Sequence, residues 1–138
     1  MGKQMGINRL YQCIESRKIN QSQARETIYR VLMDAEDECL TVSRILEELS
    51  SVYSKKVSLN TVYRHLNLFV SCKLAVMIQD DFKKAYYCLT GEKPLTFIIC
   101  TKCNSIEKCS FNPSHLIDNL ESSDFIALHK KCSKCRNK

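Results

Sequence analysis

Two cysteine pairs with the same internal spacing, CTKC and CSKC, stand near the end of the sequence. A CxxC turn can point two thiolates at one centre, and two such turns, 28 residues apart, can supply a tetrahedral set of four sulfurs. Four sulfurs suit zinc at about 2.3 Å per bond, whereas a thioredoxin-like redox centre needs one CxxC at the beginning of a helix. The spacing therefore predicts a structural zinc site, with a rubredoxin-like iron centre as the alternative. The predicted ligands are Cys100, Cys103, Cys132 and Cys135.

The composition limits the class of protein. The chain has 138 residues, 44% of them apolar, which is enough for one domain or for two small ones that share a core. It has no apolar run of about 18 residues and no secretory signal, so we expect a cytoplasmic protein without a membrane partner. Because thiols stay reduced in that compartment, the nine cysteines are not expected to form a disulfide framework. The formal charge of +6, about +4 with a zinc-bound cluster, is compatible with a DNA partner.

Helical periodicity dominates the first half of the chain. Apolar residues recur every three or four positions in four segments, and Ser22, Thr41 and Ser58 precede the last three. After Lys73 the period changes to two, in LAVMIQ and AYYCLT, which are joined by the polar DDFKK. Helices followed by a hairpin are the order of a winged helix-turn-helix, whose second helix enters the major groove of DNA.

The remaining residues predict a small α/β unit. PLTFIIC, SIEKC and FIALHKK are predicted strands, and PSHLIDNLES is a predicted short helix that begins at Pro113 and Ser114. A unit of this size gains stability from a metal. The turn-forming TGEKP places the boundary near Thr90–Pro94. The predicted fold class is therefore α+β, with a winged helix-turn-helix over residues 1–90 and a zinc-stapled domain over residues 91–138.

The fourth helix, SLNTVYRHLNLFVSC, combines a predicted apolar face with a polar one. The residues expected to point inward are Leu59, Val62, Leu66, Phe69 and Val70. The residues expected on the surface are Asn60, Thr61, Tyr63, Arg64, His65 and Asn67. Arg64 can bind guanine or a phosphate, Tyr63 can contact a thymine methyl group, and Ser58 and Thr61 suit backbone phosphates. The alternative is an ordinary solvated helix face.

SLNTVYRHLNLF, followed by a hairpin and then by IICTKC and CSKC, resembles the ferric uptake regulator family. Members of that family typically have the motif TVYRxL in the recognition helix and LICxxCG at the first pair of zinc ligands. SQAR at 22–25 resembles the TxQR at the start of the family's second helix, which adds Arg25 to the expected DNA contacts. The resemblance covers about residues 17–136. It implies a homodimeric, metal-dependent repressor that binds double-stranded operator DNA, with the C-terminal domain as the dimerisation domain.

The sequence departs from the family where a regulatory metal should bind. The family carries a histidine cluster between the wing and the first CxxC, but TGEKPLTF contains no histidine. Cys39 falls where iron-type members often place histidine, and Cys88 falls where zinc-sensing members place cysteine. The resemblance thus implies a hinge site for a second metal, and two soft donors favour zinc over iron. A carboxylate such as Glu92 or Asp81 would complete it.

Two histidines of the C-terminal domain are further candidate ligands. The resemblance places His115 where the family has a carboxylate residue. It places His129 or Asp124 where the family has a histidine. His115 can equally be an ordinary surface residue.

Cys39 and Cys88 have alternative interpretations that keep the predicted fold but change the signal to which the protein responds. Cys39 and Cys88 can be small core residues, or a pair that forms a reversible disulfide in a thiol-redox or peroxide-responsive regulator. The other three cysteines are assigned to packing: Cys13, Cys72 and Cys109.

Three further classes of function remain as alternatives. The first is a constitutive DNA-binding protein with only the structural zinc. The second is a zinc-ribbon RNA-binding protein, which would explain the CxxC pairs and the basic tail but not the TVYR helix and its wing. An enzyme has least support, because the sequence shows no nucleophile with a base and an orienting group, and no open three-ligand zinc site.

Overall fold

Four helices occupy the first half of the chain in the computed structural model, which describes residues 2–20 and 22–136. Among the described helices, none is long and apolar enough to cross a membrane. The helices are α1 (Gly2–Ser16), α2 (Gln23–Asp34), α3 (Val42–Ser51) and α4 (Leu59–Ser71).

The predicted N-caps define where three of these helices begin. The side-chain oxygens of Ser22, Thr41 and Ser58 accept hydrogen bonds from backbone N–H groups three residues later, in α2, α3 and α4. Each cap satisfies a donor that the first helical turn leaves free and is worth about 1 kcal/mol.

A two-stranded hairpin follows the helices, made of β1 (Ala75–Gln79) and β2 (Ala85–Leu89), with Ala75 opposite Leu89. Its turn is organised by Asp80, whose Oδ1 accepts the backbone N–H groups of Phe82 and Lys84, each at 2.9 Å. This hairpin is the wing that the change of sequence period predicted.

The C-terminal sheet has the strand order β4-β3-β5. Its strands are β3 (Leu95–Cys100), β4 (Ile106–Cys109) and β5 (Phe125–Lys130), and a short helix α5 (Ser133–Arg136) ends the described chain. β3 pairs with β4 antiparallel and with β5 parallel, with Cys100 opposite Lys130. The parallel pair brings the ends of β3 and β5 to the same edge of the sheet. The predicted α+β class is confirmed.

Among the described residues, two large apolar clusters and a small one of Cys100, Cys132 and Cys135 form the interior. The larger one joins all four helices to the start of the hairpin, and within it Tyr29 and Phe69 pack edge to face with ring centroids 5.2 Å apart. The second cluster joins Val76, Ile78 and Cys88 of the hairpin to Phe97 and Ile99 of the C-terminal sheet. The hairpin therefore has one face on the helices and the other on the sheet.

The predicted helix over PSHLIDNLES is wrong. Only Pro113–His115 form a turn of 3-10 helix, capped by Asn112. Leu116 is 73% exposed and Asn119 has a φ of 65°, so the segment neither buries an apolar stripe nor keeps helical dihedrals.

Three expectations for α4 are also wrong. Leu59 and Val70 are exposed, because they lie at the two ends of the helix, beyond the stripe that packs on α2 and α3. His65 lies on the buried face with 2% of its surface exposed, although its polarity placed it outside.

The assignment of Cys13 and Cys72 to packing is incomplete, because their sulfurs are bonded as a disulfide. The bond joins the last turn of α1 to the C-cap of α4, and both side chains also contact the larger apolar cluster. Cys109 is a free, half-buried thiol.

Candidate metal centre and DNA-binding surface

Four cysteines meet where β3 and β5 end. Cys100 is the last residue of β3, Cys103 closes the turn that follows, Cys132 comes two residues after β5, and Cys135 lies in α5. The parallel pairing of β3 with β5 brings the two CxxC turns together, although they are distant in sequence. Their four sulfurs all lie within 4.8 Å of one another.

The cluster fits zinc in geometry and in donor type. The sulfurs of Cys103 and Cys132 are 3.8 Å apart, and tetrahedral zinc with bonds of about 2.3 Å places its sulfurs about 3.8 Å apart. Three of the cysteines are buried, and Cys103 is exposed. Because cysteine would fill all four ligand positions, zinc here would be structural and would tie the end of β3 to α5.

Backbone hydrogen bonds prepare this cluster for a cation. The sulfur of Cys100 accepts the N–H groups of Cys103, Cys132 and Lys102, each at 3.3 Å. These bonds, with that of Cys103 the strongest influence, lower the pKa of Cys100 to about 5 against the opposing effect of burial. Burial raises the pKa of Cys135 to about 12. To serve as a zinc ligand Cys135 would have to lose its proton, so the affinity of the site for zinc should fall as pH drops.

The N-terminal half of α4 presents the polar face that the sequence predicted. Asn60, Tyr63 and Arg64 are exposed, whereas Thr61 is half-buried. The hydroxyl of Ser58 accepts the Thr61 N–H at 3.2 Å and donates to the Thr61 hydroxyl at 2.8 Å, so these two residues bond to each other at the helix start. Side chains at the start of such a helix are the ones that reach base edges.

Arg25, at the start of α2, extends this surface beside Arg64. Its Nη1 donates to the carbonyl of Asn20 at 2.6 Å, and its buried Nε has no hydrogen-bond partner among the described residues. Burial first, and then the charge of Arg64, lower the pKa of Arg25, so the two guanidinium groups are close enough to repel. They line one surface groove together with His65 and Asn67. Two neighbouring guanidinium groups at a helix start suit a DNA phosphate.

Cys39 and Cys88 lie together between the helices and the C-terminal sheet. An antiparallel bridge pairs Leu40 with Tyr87 through backbone bonds of 2.9 and 2.7 Å, which places Cys39 opposite Cys88. The thiol of Cys88 donates a hydrogen bond to the carbonyl of Leu89 at 3.5 Å. Lys108, on β4, reaches the same place and donates to the carbonyl of Glu36 at 3.0 Å. No motif in the sequence indicates this contact of Lys108, because it depends on the packing of the sheet against the helices.

The other candidate regulatory ligands lie at different places. Among the described residues, Cys100, Cys103, Cys132 and Cys135 form the only group of three or more potential ligands that could hold a metal. Glu92 is exposed in the linker, His115 contacts the ring of Phe111, and His129 lies 3.5 Å from Asp81. A regulatory metal bound by Cys39 and Cys88 with these residues stays a prediction.

Comparisons with known proteins agree with this architecture. The Ferric uptake regulator family matches residues 16–124. The ferric uptake regulator Fur of Helicobacter pylori is 16% identical, with a TM-score of 0.75 over 98% of this chain and 94% of that one. The Vibrio cholerae ferric uptake regulator is 18% identical, with a TM-score of 0.67 over 88% and 98%. The Campylobacter jejuni peroxide stress regulator is 25% identical, with a TM-score of 0.61 over 80% and 87%. Comparison with curated proteins gave no match.

Proposed function

Because the chain belongs to the ferric uptake regulator family, we propose that it is a zinc-containing transcriptional repressor of metal-homeostasis genes that binds operator DNA as a homodimer. The observation that carries this proposal is the exposed row of Asn60, Tyr63 and Arg64 on a capped helix, beside Arg25 and next to a wing. This is the arrangement with which a winged helix-turn-helix reads the major groove. The division into a DNA-binding domain (1–90) and a dimerisation domain (91–138) is part of the proposal.

The C-terminal sheet supports the homodimer. β5 is an edge strand, since the order is β4-β3-β5, and it is largely exposed, with Leu128 46% accessible. An unpaired strand edge with apolar side chains can pair with the same strand of a second copy. A two-fold dimer would present two α4 helices about 34 Å apart, one turn of DNA.

Zinc in the four-cysteine cluster would affect DNA binding indirectly, by stabilising the C-terminal sheet. It would hold the two CxxC turns together at one edge of the sheet and would thereby stabilise the surface on which the hairpin packs. A second, regulatory metal must bind the DNA-competent arrangement more tightly than the alternative, because a ligand without that preference shifts no population.

Transcription in vitro tests the repressor role. A promoter that carries a bound site should give less transcript with the zinc-loaded protein, and Arg64→Ala should restore transcription. An increase in transcript, reversed by the same variant, would make the protein an activator. If the protein binds the DNA but does not change the amount of transcript, it is not a transcriptional regulator.

A thiol-responsive regulator of the same fold is the second candidate, favoured by the position of Cys39 opposite Cys88 at the Leu40–Tyr87 bridge. One relative in structure is named a peroxide stress regulator. Hydrogen peroxide would oxidise one thiolate to a sulfenic acid with loss of hydroxide, and attack by the other thiol would form the disulfide and release water. Loss of DNA binding with peroxide but not with a zinc chelator would favour this candidate.

A further inference from the structure

The disulfide between Cys13 and Cys72 ties the end of α4 to α1. Cys13 lies in the last turn of α1 and Cys72 is the C-cap of α4, with their Cα atoms 6.5 Å apart. A second contact joins the same two helix ends, because the guanidinium group of Arg17 donates to the carbonyl of Ser71 at 2.9 Å and to its hydroxyl at 3.3 Å. Opening the disulfide would therefore loosen the end of α4 without separating it from α1.

The two bonded cysteines face a surface groove. Both are half-buried, and they line an open groove of about 550 Å³ together with Arg9, Arg17 and Lys73. This volume falls within the range of about 300–1,000 Å³ that is usual for sites of small molecules. A small thiol or disulfide can therefore reach this bond from solvent.

Positive charge dominates this groove. Among the described residues, three cationic side chains and no acidic one line it. Arg9 and Arg17 donate to neutral carbonyl and hydroxyl oxygens, so no ion pair with a described residue offsets their charges. Lys73 differs, because its ammonium group lies 3.1 Å from the carboxylate of Glu121. Two guanidinium groups therefore remain to favour the thiolate form of a reduced cysteine and to attract an anionic reagent.

We propose that Cys13 and Cys72 are a site of reversible thiol–disulfide exchange with a small, negatively charged disulfide and its thiol, and that this exchange ties and releases the end of α4. The proposal rests on the proposed function only in taking α4 as the recognition helix. The site is separate from Cys39 and Cys88, and its chemistry uses none of the four cysteines of the zinc cluster.

The exchange proceeds in two steps in the oxidising direction. The thiolate of one cysteine attacks the small disulfide, a mixed disulfide forms, and one small thiolate leaves. The thiolate of the other cysteine then attacks the protein sulfur of the mixed disulfide, and the second small thiolate leaves. Two protein thiols are thereby oxidised to the Cys13–Cys72 bond, and one small disulfide is reduced to two thiols.

Capture of the mixed disulfide is the first test. Reduced, zinc-loaded protein is mixed with glutathione disulfide, which is anionic, and the products are identified by peptide mass spectrometry. The wild type should form the Cys13–Cys72 bond and keep no glutathione on either residue. At least one of Cys13→Ser and Cys72→Ser should keep glutathione on its remaining cysteine, because the thiol that releases it is missing. A wild type that does not close, or two variants without the adduct, would overturn the proposal.

Selectivity for charge is the second test. The rate at which the bond opens is measured with glutathione, which is anionic, and with cysteamine, which is cationic. The ratio of the two rates, which cancels any general change in reactivity, should fall by about threefold or more in Arg17→Met. Arg17→Lys should restore it, and Lys56→Met, which removes an exposed lysine between α3 and α4, should keep the wild-type ratio. An equal ratio in the wild type and Arg17→Met would contradict a preference for an anionic reagent.

Hydrogen exchange in wild-type protein tests the structural consequence. Amides at the end of α4 should exchange about threefold faster or more after reduction, because the Arg17 contact alone then holds this end. Amides of α3, which the bond does not join, should change little, and the zinc content should stay the same. Equal exchange in both forms would contradict the release of α4. All three tests use protein without DNA, so their failure does not depend on whether the chain binds an operator.

Discussion

Asp81 at the tip of the wing lies 3.5 Å from His129 of β5, measured from Oδ1 to Nδ1. The backbone N–H of Asp81 also donates to the side-chain oxygen of Asn104 at 3.3 Å. Asn104 directly follows Cys103, and His129 stands three residues before Cys132, so the wing tip touches the chain beside both CxxC turns. Both partners of the Asp81–His129 pair are 54% exposed, so the contact itself is worth less than about 1 kcal/mol.

Cys132→Ser should remove the zinc, from about one ion per chain to nearly none, because three sulfurs hold the ion far less tightly. The C-terminal unit should then unfold or dissociate, and hydrogen exchange at the wing tip should increase with it. Cys109→Ser, which changes a half-buried thiol on β4, is the matched control and should keep the metal. Full loss of zinc with an unchanged dimer and thermal midpoint would contradict the structural role.

Arg64→Ala and Tyr63→Ala should each weaken operator binding by about 1–3 kcal/mol if the side chain contacts a base. If Arg64 binds a phosphate, the loss should be similar on all sequences, and the slope of affinity against salt should fall by about one. Fluorescence anisotropy at several salt concentrations separates the two roles. Lys93→Ala, in the linker, controls for the loss of a positive charge. Wild-type affinity in both variants would mean that α4 is not the recognition helix.

His65 should make the folded state sensitive to acid. Burial first, and then Arg25 and Arg64, lower its pKa from 6.5 to about 4. Between these values the unfolded chain binds a proton that the folded chain does not, so the contribution is complete above about pH 6.5 and is lost as pH falls towards 4.

The free energy of unfolding should accordingly decrease by about 1–3 kcal/mol over that interval because of this residue. Denaturant titrations at several pH values should show a smaller decrease in His65→Leu. His115→Leu, which changes an exposed histidine, should keep the wild-type slope. An identical slope in wild type and His65→Leu would rule out His65 as its source.

The Cys13–Cys72 bond should stabilise the oxidised chain. It spans 59 residues, and the chain-entropy model gives about 4 kcal/mol for a loop of this length. Oxidised wild type should therefore unfold at higher denaturant than Cys13→Ser, Cys72→Ser. Adding a reducing agent should remove most of the difference while the zinc stays bound. If the two proteins have the same midpoint before reduction, the bond contributes nothing to stability.

Local patterns predicted most of the fold. Ser22 and Ser58 cap helices because a hydroxyl before an apolar-periodic segment satisfies a free N–H group, and that relationship is visible in sequence. The meeting of the four cysteines was predictable for a similar reason, since each CxxC turn prepares its own two sulfurs. The helix expected after Pro113 failed because periodicity alone does not provide a surface on which to pack.

Relationships between distant segments that carry no repeated motif could not be predicted. The polarity of His65 placed it on the surface, but α2 packs over it and buries it. Lys108 carries no motif, and its position at Cys88 and Glu36 arises only when the C-terminal sheet packs on the hairpin. The pairing of Cys13 with Cys72 likewise depends on how α1 meets the end of α4.

Selection of bound sequences from a pool of random duplex DNA tests the central proposal most directly. Zinc-loaded protein and protein stripped by a chelator are compared in parallel, with single-stranded RNA as a competitor. We expect the zinc-loaded protein to enrich a two-fold symmetric site whose half-sites lie about one helical turn, roughly 34 Å, apart, and the stripped protein to enrich none. Failure to enrich any duplex sequence, or displacement of the duplex DNA by the RNA competitor, would contradict the proposal of a zinc-dependent DNA-binding regulator.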